Sequence, residues 1–315
     1  MLEKSNIPIP RHIKNFLDWL DIEKGLSSKS QENYSRFIKR FTDWLALEKL
    51  QDICPHDLTA EHIWSYRVFL SRNSHSPSGE NLKKSTQNYY LIALRSLFNY
   101  FADHNILCLP SDKIKLSRDK GDKEVRFLTL DQLEKLFESP NTRTVQGLRD
   151  KAILEVFFST GMRISELTAL NRDQLKVSLG KDELELSITG KGKRIRTVYF
   201  SKRALQRLNE YLKTRSDDEK ALFVNYRRKK GTPSRLSVRS IERSIKTYAI
   251  MAGLPANTTP HVMRHSFATD LMNQGVDLRI LQEFLGHRSI TATQIYTHVT
   301  SKKLREIHKQ FHGKS

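Results

Sequence analysis

Cysteine is nearly absent from this 315-residue chain: Cys54 and Cys108 are its only two. That is too few for a disulfide framework, and neither has a nearby second cysteine to build a zinc site, so a reducing compartment is expected. Glycine and proline are also sparse, at 13 and 9 residues, which excludes collagen-like and low-complexity chains. No window reaches the roughly 18 uncharged apolar residues that a membrane span needs, and the N-terminus MLEKSNIPIP lacks an apolar leader core. A folded cytoplasmic protein is the expectation.

Acidic residues are outnumbered, with 54 Lys+Arg against 35 Asp+Glu and a formal net charge of +19. Nearly all of the excess lies in one part. Residues 126–315 hold 35 basic and 19 acidic side chains, a net of +16, whereas residues 1–125 hold 19 and 16, a net of +3. Such an imbalance points to a polyanionic partner gripped mainly by the C-terminal part. A solvated basic face is the plainer alternative.

The length predicts about two domains. Over residues 1–105 apolar residues recur at helical spacing, as in Ile13, Phe16, Leu17 and Leu20, and again in Tyr34, Phe37, Ile38, Phe41 and Leu45 over 28–48. Thr59 can cap a third helix through Leu70, and a fourth starts after Ser85, so a helical bundle is expected. Residues 106–125, punctuated by Pro110 and Gly121, have no sustained period and predict an exposed linker.

Thr129 followed by Gln132 forms a capping box that opens the second domain, residues 126–315. Leu184, Leu186 and Ile188 alternate with polar residues, and a second alternating run, 194–200, comes after Gly190-Lys191-Gly192-Lys193. These predict a β-hairpin with Lys191 at its tip. Ser237, Thr259 with Pro260, and Asp277 with Gly286 mark three later helices. Short helices carrying Tyr296 and residues 301–311 complete a mainly α fold with a small antiparallel sheet.

Several polar residues resist a structural explanation. Arg163 enters a helix from the small-residue turn Thr160-Gly161-Met162, beside the apolar run 152–158, with Glu166 placed to hold its guanidinium. His261, Arg264 and His265 share one helical face. Two histidines four apart could bind zinc, but Val262 stands where the zinc-protease motif requires Glu. His265 is better explained as a core histidine. His287 comes just after a helix end in Leu285-Gly286-His287-Arg288, and Tyr296 stands nine residues later.

Taken together, Arg163, Lys191, His261-x-x-Arg264, His287 and Tyr296, in that order, resemble the tyrosine recombinase (phage integrase) family. The ending YTHVTSKKLREIHKQFH resembles its bacterial Xer branch. The resemblance implies a core-binding domain and then a catalytic domain, and a site-specific recombinase that forms a 3′-phosphotyrosine on DNA. It calls for neither metal nor ATP. Arg163 and Arg264 would clamp the phosphate with forked hydrogen bonds, and His261 would accept the phenolic proton of Tyr296. Lys191 would protonate the leaving 5′-oxygen, with Lys193 the less favoured substitute, and His287 would complete the phosphate's hydrogen bonds.

Candidate DNA-binding residues are Arg227, Arg228, Lys229 and Lys230, in a loop before the Ser237 helix, with Lys83 and Lys84 in the first domain. The implied partners are double-stranded DNA and further recombinase protomers, in a homo- or hetero-tetramer on two sites. Leu304, Ile307 and Phe311 offer an apolar stripe for docking on a neighbour. A septal DNA translocase is a further candidate partner, and resolution of chromosome or plasmid dimers the expected role. A mobile-element integrase, a type IB topoisomerase and a non-catalytic DNA-binding protein remain the competing readings.

Overall fold

A computed structural model describes residues 2–72, 79–117, 126–178, 183–190, 194–226, 233–286, 289 and 291–294. The chain divides into two compact units, Met1–Asp122 and Lys123–Ser315.

Among its described residues the first unit holds four α-helices: α1 (Ile13–Ile22), α2 (Ser28–Leu47), α3 (Ala60–Arg72) and α4 (Lys84–Asp103). Ser27 caps α2 by accepting a hydrogen bond from the Ser30 backbone N–H at 3.4 Å. Helix α4 begins slightly earlier than its sequence signal, with Lys83 at its N-cap. The apolar stripes meet in an aromatic core in which Phe16, Phe41, Trp44, Tyr66, Phe98 and Phe101 are buried. The Phe41 and Tyr66 rings meet edge to face at 5.0 Å, an arrangement their quadrupoles favour.

Within the expected exposed linker, Pro110, Asp112, Lys113 and Lys115 are exposed, whereas apolar side chains among residues 106–117 pack on the first unit. Ile114 is fully buried against the helical core, and Leu109 and Leu116 pack on it. Arg95 Nε donates to the Ile114 carbonyl at 2.7 Å, and the Asn88 side chain exchanges two hydrogen bonds with the Ser117 backbone, at 2.8 and 2.9 Å. Irregular backbone can be buried here because side chains from α4 satisfy its polar groups.

The second unit begins with α5 (Leu130–Glu138), and the Thr129–Gln132 capping box is present. After it come α6 (Val145–Thr160), α7 (Ile164–Ala169), β1 (Leu184–Thr189), β2 (Ile195–Phe200) and α8 (Lys202–Leu212). A two-residue pair, β3 (Val224–Asn225) with β4 (Ser234–Arg235), precedes α9 (Val238–Met251), α10 (Pro260–Asn273), α11 (Leu278–Leu285) and α12 (Thr291–Gln294). Ser237, Thr259 and Asp277 cap α9, α10 and α11 through their side chains. Strands β1 and β2 pair antiparallel, from Leu184 opposite Phe200 to Thr189 opposite Ile195. The β3–β4 pair is a second antiparallel element where the sequence signalled one.

Helix α6 is enclosed by its neighbours, with Ala152, Ile153, Leu154, Val156 and Phe157 all buried. Three of its charged residues, Arg149, Asp150 and Glu155, are buried with partners. Arg149 pairs with Asp150 at 2.7 Å, Tyr248 donates to Asp150 at 2.8 Å, and Arg203 Nε reaches Glu155 at 2.7 Å. Among the described residues no helix is long and apolar enough to cross a membrane.

Candidate active site

Helix α6 ends at Gly161, whose φ of 56° is left-handed. A Cβ there would stand 2.4 Å from the Phe267 ring, so glycine is required for both reasons. The chain reverses and delivers Arg163 to the N-cap of α7.

Glu166, in the first turn of α7, is the anion around which two arginines gather. Its side chain is only 4% exposed, and each carboxylate oxygen accepts two hydrogen bonds. Oε1 takes Arg163 Nη1 at 3.0 Å and Arg196 Nη1 at 2.8 Å, while Oε2 takes the Arg163 backbone N–H and Arg196 Nη2, both at 2.8 Å. Burial alone would raise this carboxyl's pKa. The Arg196 fork, the Arg163 N–H, the Arg196 charge and the Arg163 guanidinium hydrogen bond outweigh burial and hold it at about 2.

Three arginines converge on the C-terminal end of α11. Arg264, on α10 and 4% exposed, donates from Nη2 to the Leu285 carbonyl at 2.5 Å and from Nη1 to the Gly161 carbonyl at 2.6 Å. Arg196 Nε donates to the Phe284 carbonyl at 3.2 Å, and Arg163 Nη2 to the Gly286 carbonyl at 3.3 Å. Three successive carbonyls that a helix end leaves without partners are thus met by three cations. Arg163 and Arg264, joined in the sequence by type alone, are brought to one place.

His261 lies one turn before Arg264 on α10 and is exposed. His265 is half-buried; burial, then the nearby His261 and Arg264, push its pKa down to about 4, keeping the imidazole neutral. An open groove of about 670 Å³ is lined by Arg163, Arg194, Arg196 and Arg279, with Gly190 and Gly286 in its wall. These glycines immediately precede Lys191 and His287 in the chain. Lys191, His287, Tyr296, the basic loop Arg227, Arg228, Lys229 and Lys230, and the docking stripe at 301–311 lie outside the described residues.

Sequence reasoning missed Arg196. A signal was available, because Arg196 shares its strand face with Val198 and Phe200, both buried, and a charge on a buried face needs a partner. It also missed the α2 side of a groove of about 1230 Å³ in the first unit, where Arg36, Lys39 and Arg40 line the walls with Lys83, Tyr89 and Tyr90. Lys84 is exposed at the start of α4.

The profile of the phage integrase family matches residues 126–303, and that of the phage integrase N-terminal SAM-like domain matches residues 12–106. The chain is 33% identical to the tyrosine recombinase XerC of Pelotomaculum thermopropionicum, covering 96% of this chain and 98% of that protein. It is 34% identical to the tyrosine recombinase XerD of Listeria innocua, covering 96% and 99%. Its fold matches that of a XerH site-specific recombinase bound to difH substrate in a pre-cleavage complex, with TM-score 0.71, 21% identity and 97% of each chain covered. The chain therefore belongs to the phage integrase family. Within that family it is a site-specific tyrosine recombinase of Xer type.

Proposed function

We propose that this recombinase cuts and rejoins double-stranded DNA through a 3′-phosphotyrosyl bond on Tyr296, in a tetramer of like or paired protomers on two sites, and that it resolves chromosome or plasmid dimers for segregation. The observation that carries the reading is the convergence of Arg163 and Arg264 on the end of α11. Two rigidly held guanidiniums can share the charge that builds on non-bridging phosphate oxygens during attack. His261 accepts the phenolic proton, Lys191 protonates the departing 5′-oxygen, and His287 completes the phosphate's hydrogen bonds. The DNA lies against the basic faces, with Lys83, Lys84, Arg36 and Arg40 contributing from the first domain and Arg227, Arg228, Lys229 and Lys230 from the second. Relatives named XerC and XerD, aligned over almost their whole length, support the Xer role.

A duplex from the host chromosome's terminus region, nicked beside the cleavage point, tests the chemistry. The parent is expected to form an SDS-stable protein–DNA adduct, and Tyr296→Phe none. An equal yield from both proteins overturns the phosphotyrosine. A plasmid with two copies of the site tests the exchange: two circles are the expected product, and relaxation without exchange favours a topoisomerase.

A further inference from the structure

Arg196 is none of the groups assigned to the phosphate, yet it is bonded to both the start of α7 and the end of α11. Its fork fills two of the four acceptor positions on Glu166, and its Nε holds the Phe284 carbonyl. Its side chain is 9% exposed, against 27% for Arg163, which lines the groove. A Cβ on Gly190 would lie 3.1 Å from Glu166 Oε1, and one on Gly286 would lie 2.8 Å from Arg196 Cδ. The hairpin end and the α11 end are therefore both packed against this one ion pair.

We propose that Arg196 is a positioning residue: it occupies the Glu166 carboxylate and the Phe284 carbonyl, so that the Arg163 guanidinium meets Glu166 through Nη1 alone and keeps its place in the groove instead of turning a second N–H onto the carboxylate. This rests on the phosphate-clamp reading of Arg163. Without Arg196, the Glu166 carboxylate keeps Arg163 as its cation, and a buried charge reduced to one partner draws that partner in. Lysine cannot replace it, since a single ammonium lacks the planar fork that serves two carboxylate oxygens and a carbonyl together.

The test compares the parent, Arg196→Met, Arg196→Lys and the double variant Arg196→Met/Glu166→Gln on a nicked duplex. One set of duplexes carries the natural scissile phosphate. The other carries a methylphosphonate, in which a methyl replaces one charged oxygen and the demand for a cation falls. Arg196→Met is expected to bind the duplex as the parent does but to form adduct about 10²-fold more slowly on phosphate. That defect should largely vanish on methylphosphonate, and the double variant should regain about tenfold on phosphate because Gln does not attract Arg163. A parental rate for Arg196→Met, or equal defects on both duplexes with no recovery in the double variant, overturns the proposal.

Should Arg196→Met fail to fold, Arg196→Lys gives the same comparison with charge retained. A measurement without DNA separates this proposal from the phosphotyrosine reading. The ¹⁵N guanidinium resonance of Arg163, assigned by its loss in Arg163→Ala, should shift in Arg196→Met and return in the double variant. An unmoved resonance overturns the positioning role even where the parent forms its adduct. A moved one upholds it even where no adduct forms.

Discussion

Arg264 Nη2 and the carbonyl of Leu285 are joined by a 2.5 Å hydrogen bond across 21 residues of sequence. The same guanidinium holds Gly161 with Nη1 at 2.6 Å, so one buried side chain fastens the end of α6 to the end of α11. A cation at those carbonyls is favourable because helix C-termini carry partial negative charge.

Removal of that fastening should cost both stability and chemistry. Arg264→Ala leaves two buried carbonyls without their donors and is expected to lower unfolding free energy by about 2–4 kcal/mol. Arg264→Lys should recover part of that loss while adduct formation stays about 10²–10³-fold below the parent. Urea melts and SDS gels on the nicked duplex read the two effects separately. Equal cleavage by Arg264→Lys and the parent would contradict the clamp.

Acid should reveal Glu166. Its folded pKa of about 2 lies below the ordinary 4.5, so its ionised form stabilises the fold fully above about pH 4.5. That contribution is lost as pH falls from 4.5 toward 2. The stability difference between parent and Glu166→Gln should be flat above pH 5 and shrink below it, as measured by thermal melts across pH.

His265 works over a different window. Burial, reinforced by the charges of His261 and Arg264, lowers its folded pKa to about 4 from 6.5, so the unfolded chain binds its proton first. Stability from the neutral imidazole is therefore full above about pH 6.5 and declines down to about pH 4. Proton NMR of the imidazole should show a midpoint near 4, and a midpoint near 6.5 would contradict the burial argument.

Two left-handed glycines should respond unequally to the same change. Gly161→Ala meets both its φ of 56° and the Phe267 ring 2.4 Å from the new Cβ, and should cost about 2–4 kcal/mol. Gly253→Ala has a φ of 67° but no atom within 4 Å, and should cost only about 1 kcal/mol. Urea denaturation gives the comparison, and equal losses would show that the ring yields.

The helices were legible because their signals are local. Thr129 with Gln132, Ser237, Thr259 and Asp277 each announce a helix within four residues, and each is a cap in the structure. The Arg163–Glu166 pair was legible for the same reason, being three residues apart on one helix start. The strand face of Arg196 was legible but its partners were not, since they lie 30 and 88 residues away. Nor was the burial of Ile114, which finds its place through Arg95 without any periodic pattern around it. The β3–β4 pair is two residues a side, too short for alternation to register.

Helix α6 has almost no wet side, and the turn bearing Arg163 grows directly from its last residue. Amides at Ile153 to Phe157 can trade protons with solvent only when the whole unit opens, so they report its global stability. The turn that carries that arginine is thus rooted in a helix whose middle exchanges last.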